Sequence, residues 1–325
     1  MNNNIIIILI TSFITLSGWQ CDREKAEPLS TEMASEIASL PDEAPAIGYM
    51  NVQNLRESPF FSIFEDRMDD GTFCSEEYNK FMDATGLDIH KDIHQVYFCF
   101  FPGEESRFLA VVTGNYQPEA IIEYVRTEMD DEQLFEEPYG TYMLYSTGDE
   151  EFTISFSGNQ RLIVGTRKLV KNWIDGVTSV TPEKMSKETL ERLRTIQYKS
   201  DGWMTIRTED FMEKIEESRE RHPEGSRFKG LQSLQQVNFS MKLNEKINFA
   251  GISIFTTAEK ADIFKEALEG WIATAKLAVS DERKAVDVLN KIDIDSHGQE
   301  VSIRFEFTRE DLRTLRSQDL KLAMR

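Results

Sequence analysis

Cysteine is scarce in this sequence, which has three in 325 residues: Cys21, Cys74 and Cys99. No two of them form a CxxC pair, so neither a zinc knuckle nor a dithiol redox pair is predicted. Cys74 lies in the polar stretch DDGTFCSEE and Cys99 in the apolar stretch VYFCFF, so we expect both thiols to be unpaired. The chain is therefore not a disulfide scaffold.

Positive charge is also in short supply. The 37 Lys and Arg residues face 57 Asp and Glu residues, which gives a formal net charge of −20. A field of that sign repels phosphate backbones, and no basic run is interleaved with aromatic residues. We therefore expect no nucleic-acid partner and a solvated acidic exterior.

The apolar run at the start of the chain, residues 5–16 (IIIILITSFITL), is too short for a typical membrane-spanning helix of about 20 residues. Charged residues begin directly after Cys21, a pattern typical of an export signal. A lipoprotein signal would make Cys21 the acylated first residue of the mature chain. Gly18 and Gln20, however, stand where a lipobox has a Leu-like and a small residue. Cleavage elsewhere, an uncleaved anchor and a cytosolic protein whose N-terminus is apolar by chance therefore stay open.

Catalytic motifs are missing too: there is no GxSxG, no P-loop, no GxGxxG after a strand and no Cys–His nucleophile pair. His90 and His94 are four residues apart, as zinc ligands on one helix would be, but a polar loop before a strand is the favoured interpretation. Asp293, Asp295 and His297 have strand spacing and could bind a metal or transfer protons. Paired surface charges explain them better, so we assign no catalytic, cofactor or metal residue.

The apolar stretches that are present indicate a sheet protein with helices. The stretches QVYFCFF (95–101) and RFLAVVTG (107–114) are apolar at odd and even positions alike, which is typical of central strands covered by helices on at least one side. The second half repeats the first half's order of strands, hairpins and helices, which indicates an internal duplication. We predict an α+β fold of two related units of antiparallel-rich sheet with helices packed on one face.

The apolar head, the repeated elements and the stretch between the repeats divide the chain into five parts. These are an export segment (1–21), a tether with a short helix (22–43), a first α+β unit (44–177), a linker (178–197) and a second α+β unit (198–325). In the tether, STEMASEIASL predicts a helix capped by Ser30 or Thr31.

The last hairpin of the second unit can be predicted in register. A two-residue turn at His297-Gly298 would place Ile294 opposite Val301, with apolar pairs on one face. Asp293 would then lie on the solvent face.

Three structural motifs carry a resemblance to a known family. Their residues are Pro45, Ala46 and the strand to Val52 with Leu55, Ser58 and Pro59; Thr85, Gly86, Leu87 and Asp88 with Asp92, Ile93 and Val96; and Gly114 with Pro118 and Glu119. With them the chain resembles an uncharacterised family of exported bacterial proteins that share a domain of unknown function. The resemblance implies an exported or membrane-tethered α+β protein and supplies no catalytic residue.

These features together predict an exported, non-enzymatic envelope protein in the periplasm or at the outer cell surface, anchored through its N-terminus. It would act as a binding or scaffold module for an unknown envelope protein or small ligand, without a cofactor. Two alternatives stay open. One is a metal-dependent hydrolase with its site between the two units, and the other is a carrier of hydrophobic ligands.

Overall fold

The structure is a computed structural model, and it describes residues 30–61, 75–102, 107–128, 134–147, 152–179, 185–194, 196, 199–209, 211 and 232–317. Within these residues, twelve strands form one antiparallel sheet with helices against it. The predicted α+β class is confirmed.

The first half of the chain contains more strands than the second. Its elements are α1 (Thr31–Ala38), β1 (Ala46–Asn51), α2 (Val52–Glu57), α3 (Ser75–Thr85), α4 (Ile89–Asp92), β2 (Ile93–Phe101), β3 (Arg107–Gly114), α5 (Pro118–Glu128), β4 (Leu134–Tyr139), β5 (Tyr142–Thr147), β6 (Thr153–Ser157), β7 (Arg161–Gly165) and α6 (Arg167–Thr178).

The second half begins with a short helix and contains one long helix. Its elements are α7 (Lys187–Leu193), β8 (Gly202–Arg207), β9 (Leu234–Leu243), β10 (Ile247–Phe255), α8 (Ala258–Ala278), α9 (Arg283–Leu289), β11 (Asp293–His297), β12 (Glu300–Phe307) and α10 (Arg309–Ser317). Among the residues described here, no helix has the length and apolar composition needed to span a bilayer.

The sheet has the same strand order in both halves. Counting outward from its middle, the first half reads β1-β2-β3-β7-β6 and the second reads β8-β9-β10-β12-β11. The halves meet where β1 pairs with β8, with Tyr49 opposite Trp203. The two related units are thus joined strand to strand into one continuous sheet. The first unit adds the hairpin β5-β4 at its outer edge.

Helices cover both faces of the sheet in the first unit. Neighbouring side chains on β3 point to opposite faces, so Val111 packs in the cluster that contains Trp173 of α6, while Val112 packs with Ile121 of α5. The apolar run at odd and even positions of β3 therefore has two separate partners.

In the second unit, helix α8 covers one face of the sheet. Helix α8 packs there through Ala261, next to Phe255 and Val301. On the opposite face Arg304 of β12 is exposed, whereas Ser240 of β9, opposite Trp203 of β8, is buried. The predicted one-face arrangement does not hold for the first unit, and in the second unit helix α7 reaches the face opposite α8 at β9, where Nε2 of Gln236 donates to the backbone carbonyl of Arg192 at 3.2 Å.

Two helices outside the predicted units belong to the core of the first unit. Ser30 caps α1 by accepting a hydrogen bond from the Met33 N–H at 3.1 Å, as the sequence predicts. Ile37 of α1 and Leu193 of α7 are both buried in the cluster around Trp173. The parts described as tether and linker therefore contribute packed helices.

The predicted register of the last hairpin is wrong: each residue of β11 pairs with a β12 residue two positions later than predicted. Ile294 lies opposite Ile303, and the turn residues are Gly298 and Gln299. Gly298 has φ of +59°, the left-handed conformation that two-residue hairpin turns need and that glycine adopts at little cost. The turn therefore centres one residue later than predicted, since His297 stays in the ladder opposite Glu300.

Candidate functional site

The structure separates the two histidines that were considered as zinc ligands. Helix α4, which contains His90, ends at Asp92, and β2 begins at the next residue. His94 therefore lies on a strand, where the i, i+4 rule for one helix face does not apply. Its Nε2 atom is 3.4 Å from Nδ2 of Asn115.

The acidic cluster of the last hairpin lies on β11, an edge strand of the sheet. Asp293 accepts a hydrogen bond from Arg304 at 3.4 Å, and Asp295 accepts one from the backbone N–H of Ser296 at 2.9 Å. Both carboxylates are exposed, which fits paired and solvated surface charges. In the described part of the chain, no group of three or more His, Cys, Asp or Glu side chains is placed to hold a metal ion.

The two candidate clusters are not brought together. Strand β11 lies six strand positions from β2, which corresponds to about 29 Å across the sheet. The junction between the units, at β1 and β8, contains neither cluster. The hydrolase alternative requires a site at the interface of the two units. The positions of these two clusters do not support such a site.

The cysteines offer no reactive thiol among the described residues. Cys99 is a free cysteine, buried on β2, and burial raises the pKa of its thiol to about 12. Its thiol is therefore protonated and unreactive at neutral pH. Cys21 and Cys74 lie outside the described residues.

A cleft of about 890 Å³ opens beside the first unit, and sequence analysis did not predict it. Helix α1 and residues 39–43 form one wall, and helix α6 with the start of α7 forms the other. Ile37, Ile47 and Trp173 contribute apolar surface to its floor. We call this cavity the α1–α6 cleft.

Trp173 fixes the floor of the cleft. Its side chain is 3% exposed, and its ring meets the ring of Tyr142 edge-on at a centroid distance of 6.2 Å. Its indole N–H donates to Oγ of Ser39 at 2.9 Å, and that hydroxyl in turn donates to the backbone carbonyl of Glu36 at 2.6 Å. These two hydrogen bonds link Trp173 of α6 to the C-terminal end of α1, and so they fix the position of the two helices relative to each other.

Asp42 supplies a negative charge at the wall. Burial alone would raise the pKa of Asp42, but hydrogen bonds from Ser186 and Thr189 and the charge of Arg192 outweigh it and hold the pKa below its usual value of 3.8. The Ser186 N–H donates to Oδ1 of Asp42 at 3.2 Å. The Asp42 carboxylate is therefore ionised at neutral pH.

A second carboxylate, Asp175 of α6, lies on the opposite wall. The Tyr139 hydroxyl donates to its two oxygens at 3.0 and 2.9 Å, and this bond raises the pKa of Tyr139. The nearby ammonium of Lys171 is bound to Glu137 at 2.9 Å.

The charged residues among the described lining of the cleft are all acidic. Asp42, Glu43 and Asp175 line it, and none of the described lining residues is Lys, Arg, His or Cys. Hydroxyl groups are present, for example on Ser35, but without an imidazole or thiolate beside them they form no activated nucleophile. This arrangement can hold a cationic group beside apolar side chains.

Comparisons with known proteins do not place the chain in a family. No protein-family model matches it, and no curated protein sequence matches it. Among solved structures, crystal form III of TP0453 has a TM-score of 0.48 at 12% identity and covers 86% of this chain and 97% of that chain. Crystal form I of TP0453 has a TM-score of 0.45 at 10% identity, with 90% and 98% covered. A shared family or function does not follow at these values.

Proposed function

We propose that this protein is an exported, non-enzymatic binding module of the cell envelope. Residues 1–21 would direct export and membrane tethering, and the α1–α6 cleft would hold a positively charged, partly apolar segment of a partner. The observation that carries this proposal is the cleft itself, with Asp42, Glu43 and Asp175 around the apolar floor of Trp173.

The size and lining of the cleft favour one class of ligand. Its volume falls within the range of about 300–1,000 Å³ that holds small ligands or a few side chains. A lysine or arginine side chain has an apolar stem and a cationic head, so the stem can lie on the accessible lining residues Pro41 and Val177 while the head meets the carboxylates. A short basic segment of an envelope protein therefore fits the cleft better than an anion or a wholly apolar molecule.

The alternatives receive less support. A hydrolase would need an activated nucleophile or a metal, and the described lining residues offer no group of that kind. A carrier of hydrophobic ligands would be expected to keep carboxylates away from its opening, because burying them against an apolar ligand is costly.

Binding can be tested with peptides. We expect a peptide of alternating Lys and Leu to bind the chain, and the double substitution Asp42→Asn, Asp175→Asn to weaken that binding at least tenfold. Each lost charge-assisted hydrogen bond is worth about 1.5–3 kcal/mol. Isothermal titration calorimetry measures the dissociation constants.

Two controls make the peptide test specific. The double substitution Asp293→Asn, Asp295→Asn removes the same two charges from the far edge of the sheet and should leave affinity unchanged. A Glu and Leu peptide should not bind. Equal loss of affinity in this edge variant and in the cleft variant would contradict the proposal, since the effect would then come from net charge alone.

Tethering can be tested on the protein made in its own cell. We expect mass spectrometry to find a mature chain that begins at a diacylglycerol-modified Cys21, and Cys21→Ser to move the protein from the membrane to the soluble fraction. Cys74→Ser, a matched change outside the export segment, should stay in the membrane fraction. Recovery of an intact chain that starts at Met1, free in the cytosol, would contradict the export proposal.

A further inference from the structure

Residues 42–45, which connect the wall of the α1–α6 cleft to β1, are held at every backbone carbonyl. Each of the four carbonyls accepts a hydrogen bond from a donor on α7 or β8, so the backbone that carries the acidic side chains of this wall is fixed. In chain order these bonds are Thr189 Oγ1 to Asp42 at 3.1 Å, Arg207 Nη2 to Glu43 at 3.2 Å, Arg192 Nη1 to Ala44 at 2.9 Å and the Arg207 N–H to Pro45 at 2.7 Å.

Arg207 connects this wall to the second unit. It is the last residue of β8, and its guanidinium donates both to the backbone carbonyl of Glu43 and to the carboxylate of Glu188 on α7, the latter at 3.3 Å. The backbone N–H of Arg207 continues the pairing of β8 with β1 by bonding to Pro45. The cleft lies beside the first unit, but the position of its acidic wall therefore depends on a side chain of the second unit.

The carboxylates among the described lining residues differ in how far they are already hydrogen-bonded. Asp42 accepts the Ser186 N–H at 3.2 Å, and Asp175 accepts the Tyr139 hydroxyl at 3.0 and 2.9 Å. Glu43 is exposed, and none of the described residues donates a hydrogen bond to its carboxylate. Glu43 can therefore bind a cation without giving up an existing hydrogen bond.

The Glu43 carboxylate is close to the face of the sheet on which the cleft opens. Ile47 of β1 lines the cleft and pairs with Cys99 of β2, so both side chains lie on that face. Burial is the main cause of the raised pKa of the Cys99 thiol, and the negative charge of Glu43 adds to it. Because such an effect weakens with distance, the carboxylate must lie near this face.

We propose that Glu43 gives the α1–α6 cleft its preference for a cationic side chain and that Arg207 is a positioning residue that holds Glu43 in the wall. This inference rests on the function proposed for the cleft. The N–H groups of the bound cation donate charge-assisted hydrogen bonds to the Glu43 carboxylate. Arg207 bonds to the backbone carbonyl of Glu43 and not to that carboxylate, so it supports the site without competing for it.

Calorimetry with the alternating Lys and Leu peptide tests the role of Glu43. We expect Glu43→Gln to weaken binding on the order of tenfold, the scale of one lost charge-assisted hydrogen bond. Its affinity should also fall less steeply between about 50 and about 500 mM NaCl, because one ion pair fewer is screened. Glu191→Gln is the matched control and should leave affinity unchanged. It removes an exposed carboxylate of α7 that pairs with Arg194 at 3.7 Å and is not among the described lining residues.

The outcomes of this experiment separate the inference from the function on which it rests. If the unchanged chain binds the peptide and Glu43→Gln binds it equally well, the inference is overturned and the function proposed for the cleft is not. If the unchanged chain does not bind the peptide, both are overturned.

A double-mutant cycle tests the role of Arg207. Arg207→Met removes the guanidinium contacts and keeps the backbone N–H bond to Pro45, and we expect it to weaken peptide binding about fivefold. In the Glu43→Gln background the same change should weaken binding less than about twofold, because the residue that Arg207 positions has lost its charge. Arg207→Lys, which keeps a donor, should bind the peptide more tightly than Arg207→Met.

Arg194→Met is the matched control for the loss of an arginine. Arg194 is an exposed residue that follows α7, and its replacement should leave affinity unchanged. Equal losses from Arg207→Met in the two backgrounds would mean that Arg207 acts on the fold and not through Glu43. That result would overturn its assignment as a positioning residue.

Discussion

Replacing Trp173 with alanine is expected to destabilise the fold by about 3–5 kcal/mol, the usual cost of removing a large buried aromatic side chain. Trp173 is 3% exposed, lies between α6 and the sheet, and bonds to Ser39. Its loss leaves a cavity under the α1–α6 cleft and removes the hydrogen bond that the Ser39 hydroxyl accepts. Urea unfolding followed by circular dichroism measures the change in the free energy of unfolding.

The chain offers a matched control at another tryptophan. Trp271 on α8 is 70% exposed, so Trp271→Ala should change the free energy of unfolding of the monomer by less than about 0.5 kcal/mol. Trp173→Phe should lie between the two, since it keeps an aromatic ring beside Tyr142 and loses part of the buried ring volume and the hydrogen bond to Ser39. Similar losses for Trp173→Ala and Trp271→Ala would contradict the assignment of Trp173 to the core.

The periodicity of KLVKNWIDGV predicts helix α6 with Leu169, Val170, Trp173, Ile174 and Val177 facing inward, and only Val177, at 42% exposed, does not follow that prediction. Leu169, Val170, Trp173 and Ile174 recur at helical spacing, and all four are buried in one cluster. The cleft beside this helix was not predicted, because its other wall comes from distant parts of the chain. Ser186 and Thr189 bind Asp42 across 144 and 147 residues. No local pattern around Asp42 indicates that contact.

The repeated order of elements in the sequence predicted the repeated strand order of the sheet. Strand β4 was missed, since LFEEPY contains two glutamates and a proline, residues that are uncommon in strands. Pro138 is tolerated because β4 is the outermost strand of the first unit, where a missing N–H breaks no ladder. Edge strands are hard to predict for this reason: their positions do not demand an apolar alternation.

A second large effect is expected from Gly165→Ala at the end of β7. A Cβ atom there would lie 2.4 Å from the carbonyl oxygen of Phe108 and 3.0 Å from Cα of Leu109. The Phe108 carbonyl cannot easily move, because it accepts a hydrogen bond from the Thr166 N–H at 3.0 Å. Backbone atoms of two paired strands must therefore separate, and we expect a loss of about 3 kcal/mol in unfolding free energy.

Gly176→Ala is the matched control for this second prediction. Gly176 lies inside α6, and a Cβ atom there meets nothing within 4 Å, so the substitution should stabilise the chain by up to about 1 kcal/mol. The same substitution is thus expected to have opposite signs at two glycines eleven residues apart. Stabilisation by Gly165→Ala in urea unfolding would contradict the close approach of β7 to β3.

The Gly165 variant also reports on how the two units depend on each other. Because β1 and β8 are hydrogen-bonded along five residue pairs, separation of the units would expose the edges of both strands. We therefore expect Gly165→Ala to lower the unfolding midpoint of the second unit as well, although that unit holds none of the clashing atoms. Hydrogen exchange of amides in β10 measures this coupling. Unchanged protection there, beside lost protection in β3, would mean that the two halves of the sheet unfold independently.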